Sequence, residues 1–422
     1  MSGIADRPGA PVDPTGFRGP AGDGPGSEDV WGEREEREAR QQPDWEDREL
    51  LTGVRRQLAG SPALVRVEDT DALRGLLAGV AAGERQVVQA GDCAEDPAEC
   101  TPGDTARKAD LLHALAAVVQ SVSFGPVLRV GRIAGQFAKP RSRPTEMMGG
   151  QELPVYRGHM VNGPQPELAT RRHDPARMLA CYEAASSTME YLGWSGGEEQ
   201  GRSGARRSSE PRVWTSHEAL VLDYEGPLVR RTDDGRLLLT STHWPWIGER
   251  TRQLEGAHVA LLAGVVNPVA CKVGPSMTPG EVAALCERLD PEREPGRLTL
   301  IARMGADAVS TKLPPLVEAV RASGHPVVWL TDPMHGNTVS GPDGLKTRLV
   351  ETVLREVRAF RSAVRSAGGV PGGLHLETTP DEVTECVADR SRLDQVGVKY
   401  TSLCDPRLNP RQAVAVAAEW RG

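Results

Sequence analysis

Aromatic residues are scarce. Phe, Tyr and Trp together make up 4% of the 422-residue chain, so any core must be mainly aliphatic. Lysine is scarcer still: the six lysines stand at positions 108, 139, 272, 312, 346 and 399, within a Lys+Arg total of 50. Positive charge is not in excess. A formal net charge of −8 argues against general binding to nucleic acid or anionic membranes, although it leaves room for a local basic pocket. Cysteine is sparse and unpatterned, seven in all, with no CxxC pair and no zinc-ribbon spacing, which excludes a disulfide framework. Long apolar runs are missing. The most apolar stretch, 258–273, is interrupted by Asn267-Pro268 and contains Lys272, so it is too short and broken to span a bilayer. The opening residues, MSGIADRPGAP, lack the basic start and apolar run of a signal peptide. These absences point to a soluble, cytoplasmic chain, in which a free thiol can serve as ligand or nucleophile.

Hydrophobic residues, 39% of the chain, allow one large domain with additions. Residues 1–28 are rich in Gly, Pro, Asp and Ser and read as a disordered tail. Residues 29–84 read as a helical extension, with an exposed, highly charged helix over 29–60 and another helix over 61–84. The stretch SGGEEQGRSGARRSSEP at 195–211 reads as a mobile surface loop. From 85 to 422, short apolar runs alternate with helical stretches such as 107–120 and 345–366. Eight runs are strand candidates: 86–90, 127–131, 219–222, 269–273, 298–302, 327–330, 374–376 and 397–401. Most are continuously apolar, the pattern of parallel strands buried on both faces. Eight strand–helix units predict an α/β fold, a (β/α)8 TIM barrel with an irregular insertion around 142–240. A doubly wound open sheet is the structural alternative.

Such a barrel carries its active site where the strands end. The first predicted strand runs into Gly91-Asp92-Cys93-Ala94-Glu95, and the sixth into Thr331-Asp332-Pro333-Met334-His335-Gly336-Asn337. The seventh ends at Glu377 and the eighth at Cys404-Asp405-Pro406-Arg407. These neighbours offer Cys93, His335, Glu377 and Asp405. One thiolate, one imidazole and two carboxylates suit a divalent transition metal. The opposite arc offers Arg132, Lys139, Arg141, Lys272 and Arg303, with Arg250 from the connection before residue 269. Arginine forks match phosphate and carboxylate oxygens in pairs. A metal on one arc and anion clamps on the other imply a phosphorylated substrate with a reacting oxygen turned to the metal. Each residue also has an ordinary reading. A buried cysteine is commonly a small hydrophobe, His335 a loop histidine, Glu377 and Asp405 helix N-caps, and the arginines surface charges. Asp332 competes with Asp405, and Cys404 with Cys93. His217-Glu218 lacks HExxH spacing, and His243 and His258 read as structural.

An ordered series of segments resembles the class II (plant-type) 3-deoxy-D-arabino-heptulosonate 7-phosphate (DAHP) synthases. It comprises QAGDCAE (89–95), GRIAGQFAKPRS (131–142), WTSHEALVLDYE (214–225), HWPWIGERTRQLEGAH (243–258), NPVACKVGPSMTP (267–279), LIARMGA (300–306), DPMHGNT (332–338), HLETT (375–379) and CDPRLNP (404–410). The resemblance covers roughly residues 50–422. It implies a barrel that binds a metal through Cys93, His335, Glu377 and Asp405. Mn2+ is the usual assignment, with Co2+, Fe2+ or Zn2+ as alternatives. It implies phosphoenolpyruvate on Arg132, Glu249, Arg250, Lys272 and Arg303. Lys139 would lie near the reacting carbons, with Arg141 and Ser142 on the phosphate of erythrose 4-phosphate. Lys139 is then the candidate proton donor, and Glu249 the group that orients water. A homodimer is expected by the same analogy.

The chain departs from the family pattern at His159 (Asp is common), Arg143 (a small residue is usual) and Ala270 (Gly is usual). The ordinary synthase, in the shikimate pathway or as a copy serving an antibiotic or pigment pathway, is the first expectation. A relative using an amino-substituted aldehyde to make aminoDAHP would share the same metal and phosphoenolpyruvate residues. A non-catalytic regulatory partner of a shikimate enzyme and an unrelated metallohydrolase barrel are readings of other classes.

Overall fold

The computed structural model describes residues 37–194 and 212–421, all within one compact unit, Trp31–Gly422. The expected tail 1–28, the first part of the charged segment 29–60 and the expected loop 195–211 lie outside the described residues. No described helix is long and apolar enough to cross a membrane.

Among the described residues, one sheet holds eight strands in chain order: β1 (Gln86–Gly91), β2 (Val127–Arg132), β3 (Val213–Ser216), β4 (Trp246–Ile247), β5 (Val269–Val273), β6 (Leu298–Ala302), β7 (Val328–Thr331) and β8 (Pro371–Glu377). Neighbours in sequence are neighbours in space and parallel, and β8 returns to pair with β1. Closure between β3 and β4 is made just past β3, by a parallel bridge from Glu218 to Trp246 and a 3.0 Å bond from Trp246 N to His217 O. The result is the predicted (β/α)8 barrel.

Two predicted strands are corrected. The third is not 219–222 but Val213–Ser216. Residues 219–222 are buried and apolar, yet they run irregularly into a one-turn helix, Leu222–Glu225. The true strand is disguised by Thr215 and Ser216, which are fully buried and satisfied: Thr215 Oγ1 meets His243 Nδ1 (2.8 Å) and Ser216 Oγ donates to Gly131 O (2.9 Å). β4 is two residues long and follows Pro245, too short to announce itself. The predicted eighth strand, 397–401, is a loop whose Val398 is 78% exposed. The last barrel strand is β8, so Asp405 comes from the segment after it and not from a strand end.

Helices alternate with the strands and cover them. α1 (Arg48–Gly60) and α2 (Val67–Ala81) precede β1. α1 starts well inside the expected 29–60, because Pro43 opposes helix before it and Asp47 caps it, accepting from Leu50 N at 2.8 Å. Trp45 is buried, and Gln42 bonds both Leu220 O and Leu222 N, so 37–47 is a strap over the barrel flank. α2 packs against β7 and against the segment that enters β6. Gly296 (φ +81°) is obligatory there, since a Cβ would fall 2.1 Å from Arg74 O. α3 (Pro102–Ser123), α4 (Arg177–Tyr191), α5 (Ala257–Ala263), α6 (Pro279–Leu289), α7 (Val309–Ala322), α8 (Val350–Ser366) and α9 (Pro410–Ala418) follow. The expected helix 345–366 begins only at Val350, because 346–348 pairs with 338–340 as a hairpin. That hairpin hangs over the carboxyl ends of β7 and β8 and contributes to the site below.

Candidate active site

Sheet register sets the first contacts. Gly91 of β1 lies opposite Glu377 of β8 and opposite Arg132 of β2, so three consecutive strands deliver Cys93, Glu377 and Arg132 to one place. Donor atoms of Cys93, Glu377 and Asp405 all lie within 4.8 Å of one another. His335 stands at the edge of this group, with Nε2 3.3 Å from Glu377 Oε1. It is presented by a turn in which Asp332 Oδ1 accepts from the backbone N–H of Met334 (3.1 Å) and His335 (3.3 Å), the usual use of an aspartate to close a loop. The second Asp332 oxygen accepts from His335 Nδ1 at 2.7 Å and pairs with Lys272 at 2.8 Å. Nδ1 therefore donates a proton to Asp332, and Nε2 faces Glu377. Asp332 orients the imidazole, whereas Asp405 joins the donor group. Cys404 lies against Cys93, whose hydrogen bond holds the Cys404 thiol below its ordinary value.

These donors converge on a positive charge. Lys139 Nζ lies 2.6 Å from Cys93 Sγ, 3.2 Å from Glu377 Oε1 and 2.8 Å from Asp405 Oδ2. Burial is the largest influence on each group here. It pushes the Cys93 thiol well up, assisted by Cys404 and Glu377. At Glu377 burial is outweighed by His335, Lys139 and Arg348, which hold the carboxyl well below its usual range. At Asp405 it is outweighed chiefly by Lys139 and Arg348. Asp405, Cys93 and Glu377 in turn hold the Lys139 ammonium well above its usual value despite burial. Three soft-to-hard donors facing one buried cation, with the His335 imidazole beside them, fit a divalent transition metal, whose binding would displace the Cys93 thiol proton.

The cationic arc shares Glu377 as its wall. Arg132 is fully buried, donates to Glu377 Oε1 (3.1 Å) and lies 5.3 Å above the Trp246 ring, with Lys272 5.9 Å above the same ring. Arg132 Nη1 also reaches His375 Nε2 at 2.7 Å. A guanidinium only donates, so Nε2 accepts and Nδ1–H donates to Gln89 Oε1 (2.6 Å). Gln89 passes the chain on to Ser216 (3.0 Å), so these barrel-interior groups are paired in series. Burial, then Lys272 and Arg132, keep His375 neutral. Arg303 donates to the carbonyl of His335 (3.3 Å). At the exposed rim, Arg250 donates to Ser142 Oγ (2.7 Å). Arg141 faces Glu146 (3.6 Å) and its backbone N–H meets Gln41. Glu249 pairs with Arg252 (2.9 Å), and no hydrogen bond joins it to Arg132, Lys272 or Arg303 among the described residues. Arg143 is exposed and makes no hydrogen bond or ion pair among the described residues.

Several contributors escaped the sequence reading. Arg348, on the hairpin and fully buried, ion-pairs with the outer oxygen of Glu377 at 2.8 Å. Lys346 beside it pairs with Asp405 Oδ1 at 2.8 Å. A three-residue hairpin strand carries no local signal for either. His375 did carry one, because two-residue spacing puts it on the same face of β8 as Glu377.

Comparison with known proteins gives the family. The model of the Class-II DAHP synthetase family matches residues 30–200 and 194–420. A probable phospho-2-dehydro-3-deoxyheptonate aldolase of Pseudomonas fluorescens is 58% identical over 384 residues, covering 91% of this chain and 95% of the relative. The phospho-2-dehydro-3-deoxyheptonate aldolases of Streptomyces coelicolor and Mycolicibacterium smegmatis are 42% and 38% identical, covering 90% and 89% of this chain and 94% and 90% of theirs. With two aligned blocks across nearly the whole barrel, the chain belongs to the class-II DAHP synthetase family.

Proposed function

We propose that this chain condenses phosphoenolpyruvate with erythrose 4-phosphate and water, giving DAHP and phosphate. The observation that carries the reading is the shared wall: Glu377 belongs at once to the Cys93–Glu377–Asp405 cluster, with His335 at its edge, and to a buried cationic arc. Family membership and the names of its relatives support the same conclusion.

A divalent metal, Mn2+ first, held by Cys93, His335, Glu377 and Asp405, would supply Lewis acidity toward the aldehyde oxygen. Arg132, Lys272 and Arg303 hold the carboxylate and phosphate of phosphoenolpyruvate. In a buried setting these pairings are stronger than in water. Arg250 already touches Ser142, which brings the rim residues for the two phosphates together. Arg141 and Ser142 take the phosphate of the sugar. The enol carbon then meets the aldehyde carbon, water adds at C2 and phosphate departs. Lys139 delivers a proton to the aldehyde oxygen, and Glu249 orients the water. The reading also places the enzyme in the cytoplasm, in keeping with seven unpaired cysteines.

The test is turnover of chelator-stripped protein given Mn2+, phosphoenolpyruvate and erythrose 4-phosphate. Loss of phosphoenolpyruvate absorbance and product mass are the readouts. Metal-dependent formation of the seven-carbon phosphate is expected. A protein that binds metal and phosphoenolpyruvate yet makes no such product would overturn the reading.

A further inference from the structure

Of the proposed ligands, Asp405 alone is placed by neither a barrel strand nor the turn directly after one. It sits in the long segment between β8 and α9, and something other than the sheet must fix it against Cys93. Four buried side chains of alternating charge do so. Lys108 of α3 pairs with Asp92 Oδ2 at 2.9 Å, and Asp92 immediately precedes Cys93. Asp92 Oδ1 accepts from Arg407 Nη1 at 2.7 Å. Arg407 also bonds Glu385 through Nε (3.1 Å) and Nη2 (2.9 Å). Glu385 is fully buried and gathers the segment, accepting from the backbone N–H of Thr401 (3.1 Å), Ser402 (2.8 Å) and Arg407 (2.7 Å). The segment thus folds around one carboxylate, and one guanidinium ties that carboxylate to the residue beside Cys93. The outcome is visible at the site: Asp405 N lies 3.3 Å from Cys93 Sγ.

We infer that the Lys108–Asp92–Arg407–Glu385 chain is a positioning device that sets the affinity of the Cys93–Asp405 half of the site for its divalent metal. This rests on the ligand set proposed above. The four charges sum to zero, and side-chain exposures of 10%, 3%, 9% and 0% leave them little water to fall back on. Buried charges so paired hold one arrangement firmly, because any displacement strands a charge. Ordering of ligands by outer partners typically governs metal affinity by roughly 10–100-fold. Arginine is required at 407. A lysine would keep the charge but could not reach Glu385, Asp92 and Thr401 together, as the guanidinium does.

The experiment titrates Co2+ into metal-free, full-length protein and follows the thiolate–cobalt absorption band. Wild type should show the band, and Cys93→Ser should lose it. A wild type without the band would show that the ligand reading itself is wrong, and the inference would fall with it. Given the band, Arg407→Lys and Glu385→Gln should keep it at saturation but raise the Co2+ Kd roughly 10–100-fold. Wild-type Kd in both folded variants would overturn the inference, even if their metal-free melting temperatures fell, since a merely structural clamp lowers stability without changing affinity. Should either variant fail to fold, Lys108→Gln, at the outer end of the chain, decides the matter. A several-fold weaker Kd supports the device, and an unchanged Kd overturns it.

Discussion

Lys139 shows how much depends on one buried atom. Its ammonium lies among a thiol and two carboxylates, so it would compete with a metal for the same donors and, in the proposed reaction, meet the aldehyde oxygen. Lys139→Met removes the proposed proton donor without adding charge. Turnover should fall by about 10²–10⁴-fold, while Mn2+ affinity holds or improves because a rival cation is gone. Steady-state rates with a parallel metal titration check both, and near-normal turnover would remove Lys139 from the chemistry. At this scale the sequence was informative about kind and silent about partnership. Cys93, His335, Glu377 and Asp405 stood out by chemical type, with Asp332 and Cys404 as competitors; in the structure Asp332 turns to His335 and Lys272, whereas Cys93 and Asp405 gather with Glu377. Arg348 gave no sign, because an arginine in a short polar run looks like any surface charge.

The barrel strands were legible where burial and hydrophobicity coincide, as in β5 and β6, whose ten positions are all buried. They were illegible where the barrel interior takes polar side chains, as at Thr215 and Ser216, or where a strand is two residues long, as at Trp246–Ile247. The seam between β8 and β1 adds a constraint of its own. The pairing of β7 with β8 slips at Trp329/Leu330, and Gly373 then adopts φ +156° with its missing Cβ directed 2.0 Å from Val87 O. Gly373→Ala must push β8 off β1 or strain the backbone. A loss of about 3 kcal/mol in unfolding free energy is expected, with a parallel loss of metal binding because Glu377 moves with the strand. Urea denaturation of the metal-free protein measures the first, and an unchanged midpoint would show that the seam is more compliant than its geometry implies.

Across the whole molecule, two linkages should be measurable. Glu356 of α8 is fully buried and joins the loops after β6 and β7, accepting from Gly305 N (2.9 Å) and from Asn337 Nδ2. Burial raises its carboxyl from 4.5 to about 7. The folded state therefore holds this proton more tightly than the unfolded chain does. The resulting stability is fully present below pH 4.5 and is lost as pH rises through 7, by about 3 kcal/mol at most. The urea midpoint of wild type should fall relative to Glu356→Gln between pH 5 and pH 8; parallel midpoints would contradict this. Metal binding couples to folding in the same way. Mn2+ at about 100 times its Kd should add about 2.7 kcal/mol, seen as a melting temperature that climbs with Mn2+ in wild type and far less in Cys93→Ser. By itself the sequence determined the aliphatic core, six of the eight strands and the chemical types gathered at their ends, because local periodicity and residue class record burial directly. Only the tertiary structure decided that Asp405 arrives on a loop, that Arg407 meets Asp92 across 315 residues of chain, and that Arg348 guards Glu377. Those pairings exist because the sheet closes on itself, and no local pattern encodes which distant charge will be waiting there.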